Sequence, residues 1–275
     1  MRIIRPGALC CALAFSAAGL AAGPAAAQDP AAPPAGPTQL LPDLQQELPS
    51  QLSVVKSNTS RRTPRYQLGF RSSAFNVGPG VLTVHGRRAS TSVKDMTGDQ
   101  IINMSDGTTV TKANAGRLRF NRFPDHAHWH FVDFERYELR TSAGKVVRKS
   151  RKAASGFCLG DRYLVGPEPQ QPTRPEFDDD CGRGEPNLLS LYTGISIMWA
   201  DDYAPHLEGQ NIDISGVRAG TYTLMHRVNP SRGLSESNYA NNSSSVRVRV
   251  SYPNGRKRAP KVAVTKKCPG AARCR

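Results

Sequence analysis

Three of the chain's six histidines fall within five residues, His126-Ala127-His128-Trp129-His130. Alternate residues of an extended strand share one face. The three imidazoles are therefore expected on one side of one strand, with Trp129 and Phe131 on the other. Three neutral imidazoles suit Cu(II), Zn(II) or Ni(II), and copper heads the affinity order for such nitrogen sites. On an ideal strand the first and third Cα atoms stand about 13 Å apart. Convergence on one ion therefore needs a bend or bulge here.

The chain is rich in segments that could form such a strand and its neighbours. Residues 66–75 alternate like a half-buried strand, 76–80 read as a turn, and 81–85 as the start of the returning strand. Residues 91–117 read as a polar excursion with a hairpin around Ser105-Asp106-Gly107. Residues 126–140 alternate strongly, and Ser142-Ala143-Gly144 turns the chain into Lys145-Val146-Val147. Residues 165–187 form a long loop full of Pro, Asp and Gly. Three further strands are expected at 210–214, 220–225 and 246–250. Many short strands with turn signals and almost no 3.6-residue periodicity predict an all-β fold, an antiparallel β-sandwich with long loops.

The ends differ from the middle. Arg2 and Arg5 precede an apolar run at residues 9–22, and Ala25-Ala26-Ala27 stands just before Gln28. That is the layout of a secretory signal peptide over 1–27, and the run is too short to span a bilayer. Residues 28–40, rich in Ala, Pro and Gln, read as a disordered linker. The folded domain is expected over 41–253 and a basic, disordered tail over 254–275. Four cysteines remain after the signal: Cys158, Cys181, Cys268 and Cys274. An even count in an exported chain points to two disulfides with three conceivable pairings, and sequence proximity favours Cys158–Cys181 and Cys268–Cys274. Asn58-Thr59-Ser60, Asn103-Met104-Ser105 and Asn241-Asn242-Ser243 match glycosylation acceptors.

The net charge of +15 invites a nucleic-acid reading, but its distribution argues against one. Two of those charges lie in the signal peptide, and residues 254–275 hold eight Lys or Arg and no acid. An exported chain with such a tail is better suited to an anionic cell-surface polymer, acidic lipid or acidic protein. No stretch after the signal is long and apolar enough to cross a membrane.

His128, His130 and Glu135 imitate the ligand order of cupins, although the flanking glycines and the second downstream histidine motif are missing. A longer string of motifs points elsewhere. After His-x-His-x-His come Phe157-Cys158-Leu159, Asp201-Asp202-Tyr203, Ile212-Asp213-Ile214 with Gly220-x-Tyr222, Val228-Asn229-Pro230, and Glu236-Ser237-x-Tyr239-x-Asn241-Asn242. In order and spacing this resembles the lysyl oxidase catalytic domain over roughly residues 41–252.

The resemblance implies that His126, His128 and His130 hold Cu(II). It implies that Tyr203, nine residues before Ile212, is oxidised to a quinone to which a lysine adds, giving lysine tyrosylquinone. The family places that lysine four residues before the cysteine of Phe-Cys-Leu, where this chain has Ala154. Lys152 stands two residues earlier and fits if the loop carries an insertion; Lys149 is a poorer match. Cys158 would bond a downstream cysteine, pinning the two loops together. Asp201 matches a family carboxylate and would act as general base, orient a histidine or cap a turn.

The implied function is a secreted, copper-dependent amine oxidase that turns primary amines, including peptidyl lysine, into aldehydes with release of H₂O₂ and ammonia. The alternative is a copper-binding, secreted or wall-associated β-sandwich module without quinone chemistry. Contact between Lys152 and Tyr203 separates the two.

Overall fold

The structure, a computed structural model, describes residues 36–57, 64–123, 126–166, 175–207 and 209–275. The expected signal peptide, most of the linker and the Asn58 acceptor lie outside the described residues.

Alternation of apolar and polar residues produces strands almost throughout. They are β1 (Gln39–Leu40), β2 (Leu44–Gln46), β3 (Ser50–Ser57), β4 (Arg65–Asn76), β5 (Leu82–Arg87), β6 (Asp95–Met104), β7 (Thr109–Phe120), β8 (Trp129–Phe131) and β9 (Glu135–Thr141). Then follow β10 (Val146–Lys149), the single helical turn α1 (Lys152–Ser155), β11 (Tyr163–Leu164), β12 (Ser190–Ile195), β13 (Trp199–Tyr203), β14 (Asn211–Asp213), β15 (Gly220–Val228), β16 (Ser243–Ser251) and β17 (Lys261–Cys268). The fold is all-β and its strand pairs are antiparallel, as the alternation predicts.

The strands form three sheets. The first runs β12-β5-β6-β7-β8 with β1 added on β6, the second runs β10-β9-β15-β16-β17, and the third runs β11-β13-β4-β14 with β2 and β3 also on β4. Their inner faces meet in one core that includes Phe70, Leu118, Trp129, Phe134, Leu139, Leu224 and Val248. Burying each such side chain stabilises the fold by roughly 1.5–3 kcal/mol.

Two expectations fail. Residues 126–140 are not one strand. Asp133 takes a left-handed conformation, φ 60°, and turns the chain out of the first sheet after β8, so that β9 begins in the second. The basic C-terminal segment is not loose either. Its β17 pairs with β16 from Ser245↔Cys268 to Ser251↔Lys261. Alternating Val262 and Val264 find partners in Val250 and Val248, which the charge of the segment concealed. The polar excursion at 91–117 is the long hairpin of β6 and β7, with its turn at the expected Ser105-Asp106-Gly107.

Candidate active site

His126 and His128 precede β8, and only His130 lies within it. The strand expected for all three is therefore a curl that ends in a strand. Phe123 O accepts the His126 amide at 2.9 Å, His126 O accepts the His128 amide at 3.2 Å, and Asn121 donates back to His128 O at 2.8 Å. These local bonds shorten the path that an extended chain would make about 13 Å long. The rings then gather: centroids of His126 and His128 lie 4.4 Å apart, and His130 is 4.8 Å from each. One ligand atom from each of the three lies within 4.8 Å of the others.

Long-range bonds fix this curl from both sides. Trp129 donates its amide to Cys181 O at 3.0 Å and its indole N–H to Glu185 O at 3.0 Å. On the other side Phe131 and Phe157 exchange backbone bonds of 2.6 and 3.0 Å. That bridge lays the segment after α1 against β8. Gly156, φ +77°, makes the close approach, because a Cβ there would stand 2.6 Å from Phe131 O.

The bridge delivers Lys152. Its side chain is fully buried, and Nζ sits 3.6 Å from the centroid of the Tyr203 ring. The α1 turn shortens this stretch, since a helical residue advances only about 1.5 Å against about 3.3 Å when extended. Lys149, in contrast, is at the exposed end of β10. Tyr203 comes from β13, whose pairing with β4 turns Asp201 and Tyr203 inward and leaves Asp202 to bond Arg71 at 2.8 Å. The Cys158 amide donates to Tyr203 Oη at 2.7 Å, and the Cys158–Cys181 disulfide, Cα–Cα 5.8 Å, ties this segment to the loop behind Trp129. Tyr203 also packs near His126, with centroids 5.3 Å apart. Histidines, lysine, tyrosine and Asp201 are thus brought to one buried locus.

Burial sets the protonation states. Desolvation, then the neighbouring His128 and Lys152 charges, pushes His126 down to about 3. Desolvation carries His128 down to about 4 against the pull of Asp180. Both imidazoles are therefore neutral near pH 7, with lone pairs free to coordinate. Among the described residues, His126 Nδ1 and both His128 ring nitrogens are buried with no hydrogen-bond partner. Buried polar atoms without a partner are rare and call for an explanation; a cation coordinated by the unprotonated nitrogens supplies one, so the donor set fits a nitrogen-loving metal. Burial, then Asp201, raises the Tyr203 phenol well above 10. Burial likewise raises Asp201 well above 3.8, opposed by Arg162 at 3.6 Å.

Several neighbours carried no sequence signal. Asp180 Oδ1 lies 3.8 Å from His128 Nδ1 and 2.7 Å from Arg162 Nη2, while Arg183 binds its other oxygen. Burial works against the ionised Asp180, but the hydrogen bonds from Arg183 and Arg162 win and hold it at about 2. Asp180, Cys181 and Gly182 are all left-handed, at φ 59°, 54° and 62°, a costly run for the two non-glycines. The triple aspartate at 178–180 was the only hint. Glu135, a ligand in the cupin-like alternative, is outside the histidine group; its oxygens accept Gln46 Nε2 at 3.0 Å, Ser72 Oγ at 2.8 Å and the Tyr137 hydroxyl.

A family model described as lysyl oxidase matches residues 97–259. The protein-lysine 6-oxidase of Rattus norvegicus is 32% identical over 151 residues, covering 54% of this chain and 32% of that protein. Lysyl oxidase homolog 3 of Homo sapiens is 31% identical over 138 residues, 50% of this chain and 16% of its own length. Lysyl oxidase homolog 3B of Danio rerio is 29% identical over 141 residues, with shares of 50% and 15%. The chain thus spans about a third or less of the curated relatives it matches.

Proposed function

The chain belongs to the lysyl oxidase family, and on that premise we propose that it is an exported copper-dependent amine oxidase. Its substrates are primary amines, peptidyl lysine among them, and its products are an aldehyde, H₂O₂ and ammonia. His126, His128 and His130 hold the Cu(II), and Lys152 and Tyr203 are the precursors of the lysine tyrosylquinone. Bound copper with O₂ supplies the oxidising power that converts a phenol ring into an amine-reactive quinone. The observation that carries this reading is Lys152 Nζ over the Tyr203 ring at 3.6 Å, both side chains buried.

The chain's own residues have separable tasks. The Cys158 amide, 2.7 Å from Tyr203 Oη, orients the phenol and favours negative charge on that oxygen. The buried Phe157 and Tyr203 rings, centroids 3.9 Å apart, exclude water from that side. Asp201 is the carboxylate assigned to proton removal from the substrate, and Arg162 beside it favours its ionised form. Export is supported by the two disulfides, Cys158–Cys181 and Cys268–Cys274, which persist in oxidising compartments. Among the described residues no helix is long and apolar enough to cross a membrane.

The test is a peptide map and visible spectrum of the copper-loaded protein, before and after phenylhydrazine. A crosslinked Lys152–Tyr203 peptide and a hydrazone band are expected. Tyr203→Phe should abolish the band and turnover. Lys152→Ala should abolish turnover, whereas Lys149→Ala should leave it near the parent level. Wild-type turnover by Lys152→Ala would refute the lysine assignment. A copper-binding protein with neither crosslink nor band would refute the enzyme.

A further inference from the structure

Two buried carboxyl groups act electrostatically on Lys152 and Tyr203, and only one of them has a task so far. That one is Asp201, with Arg162 at 3.6 Å. The other is Glu135, at the head of β9. Alternation along β9 turns Glu135, Tyr137 and Leu139 inward. The segment that carries Lys152 runs against the same strand: the Ser150 amide donates to Tyr137 O at 3.0 Å, and α1 packs on β9. Lys152 is fully buried as well, and its cation acts on the Glu135 carboxylate.

Among the described residues, the hydrogen-bond partners of Glu135 are donors. Gln46 Nε2 donates to Oε1 at 3.0 Å, and Ser72 Oγ, at 2.8 Å, and the Tyr137 hydroxyl donate to Oε2. Behind them Gln210 Nε2 donates to Tyr137 Oη at 3.0 Å. A neutral carboxyl needs an acceptor for its own proton; three converging donors are the setting of a carboxylate. Burial works the other way and, against those donors and Lys152, raises Glu135 above 4.5. Neighbours on other strands do not take over its part. His226 of β15, with Nδ1 3.2 Å from Ser72 Oγ, is held well below 6.5 by desolvation and does not keep a proton. Burial, then Glu135 itself, raises the Tyr137 phenol well above 10, so that it keeps its own.

Resting on the amine oxidase reading, we propose that Glu135 takes the ammonium proton of Lys152 when the crosslink to Tyr203 forms. An ammonium has no lone pair, so Nζ bonds the ring only after one N–H bond breaks. The proton passes to a Glu135 oxygen as an O–H bond, and the electron pair left on Nζ makes the C–N bond to the oxidised ring. The ring carbon's proton, a second amine proton and two electrons then pass to O₂, the oxidant of that reading, giving H₂O₂. Moving one proton from ammonium to carboxylate removes two buried charges at once, and desolvation disfavours both. The two carboxyls thus divide the work: Glu135 serves the making of the cofactor, Asp201 its use.

The experiment adds Cu(II) in air to the full chain purified copper-free. The visible band and the mass of the Lys152–Tyr203 peptide are followed between about pH 6 and about pH 9. The parent rate should vary less than about threefold over that range, because the acceptor is internal. Glu135→Gln keeps the shape and should slow the crosslink at least about tenfold near neutral pH. It should regain about tenfold per pH unit as hydroxide takes the proton instead. Glu135→Asp retains a carboxylate and should fall between the two, with the flat profile of the parent. Glu236→Gln removes another buried carboxylate, held by Asn229 and Asn242 at 2.6 Å each, and should crosslink at the parent rate. Copper content and melting temperature, read on every sample, separate a misfolded variant from a slow one. Equal rates and profiles in parent and Glu135→Gln would overturn the assignment and leave the oxidase reading intact. Equal slowing in Glu236→Gln would overturn it too, reducing Glu135 to a structural carboxylate. So would a parent rate that itself climbs about tenfold per pH unit, a result that needs no variant to fold. A parent with neither band nor crosslink would overturn both.

Discussion

A histidine that is to hold a metal must offer a lone pair, and burial keeps His126 and His128 neutral for that. Each of His126→Ala, His128→Ala and His130→Ala should cost most of the bound copper, read as metal per folded molecule; full retention in all three would exclude this centre. Asp180 faces His128 Nδ1 at 3.8 Å, one remove from the proposed metal. Asp180→Asn should weaken copper affinity by about 10–100-fold, the usual range for such outer partners, as measured by competition with a chelator, while Asp180→Glu recovers part of it. The proton-removing role proposed for Asp201 would give a pH signature. Its folded-state carboxyl is raised well above 3.8 by burial, so the ionised base appears only as pH climbs through that raised value. Turnover should therefore fall on the acid side at a pH well above the ordinary carboxylate range, and Asp201→Asn should remove that limb along with most activity. The histidines were legible because three of one rare residue type stand at fixed spacing. Asp180 and Arg162 were not, because 52 and 32 positions separate them from His128 and His130 and only the disulfide and backbone bridges bring them near.

Turns and loops decide whether Lys152 meets Tyr203, and that was the least legible part of the site. Strand positions such as 66–75 and 246–250 were readable because a period of two is imposed by burial on one face. Nothing comparable marks residues 150–158. There Ser150 Oγ accepts the Lys152 amide at 2.9 Å, α1 turns the chain, and Gly156 closes the turn on Phe131. Gly156→Ala tests this element. It would combine a left-handed φ of 77° with a Cβ 2.6 Å from Phe131 O, a backbone atom that cannot step aside. A loss of roughly 1–3 kcal/mol is expected from the conformation alone, with slower or absent crosslink formation. If the variant forms the crosslink at the parent rate, α1 does not position the lysine. The histidine segment shows the opposite error: alternation suggested one strand, whereas i to i+2 and i to i+3 backbone bonds curl it, and side-chain pattern alone does not distinguish the two.

Residues 37–275 form one compact unit in which three sheets share a core. A buried chain of hydrogen bonds joins the second and third sheets through Gln46, Ser72, Glu135, Tyr137 and Gln210. The C-terminal segment belongs to the same unit, contrary to its composition. Eight Lys or Arg without an acid read as a solvated tail, yet pairing to β16 and the Cys268–Cys274 bond make it the edge of the second sheet. Removing residues 254–275 would strip partners from β16 between Ser245 and Ser251 and leave its Val246, Val248 and Val250 row at an open edge. An open, apolar edge is a template for association. The truncated protein should therefore melt at least about 5 °C lower, which for a domain of this size corresponds to roughly 1–3 kcal/mol, and should scatter light on storage. Its copper content per folded molecule should hardly change, because every residue assigned to the site lies between His126 and Tyr203. Calorimetry and metal analysis on the same sample separate the two effects. An unchanged melting temperature would mean that β17 contributes nothing to the fold, whereas lost copper with normal melting would place the tail in the site itself.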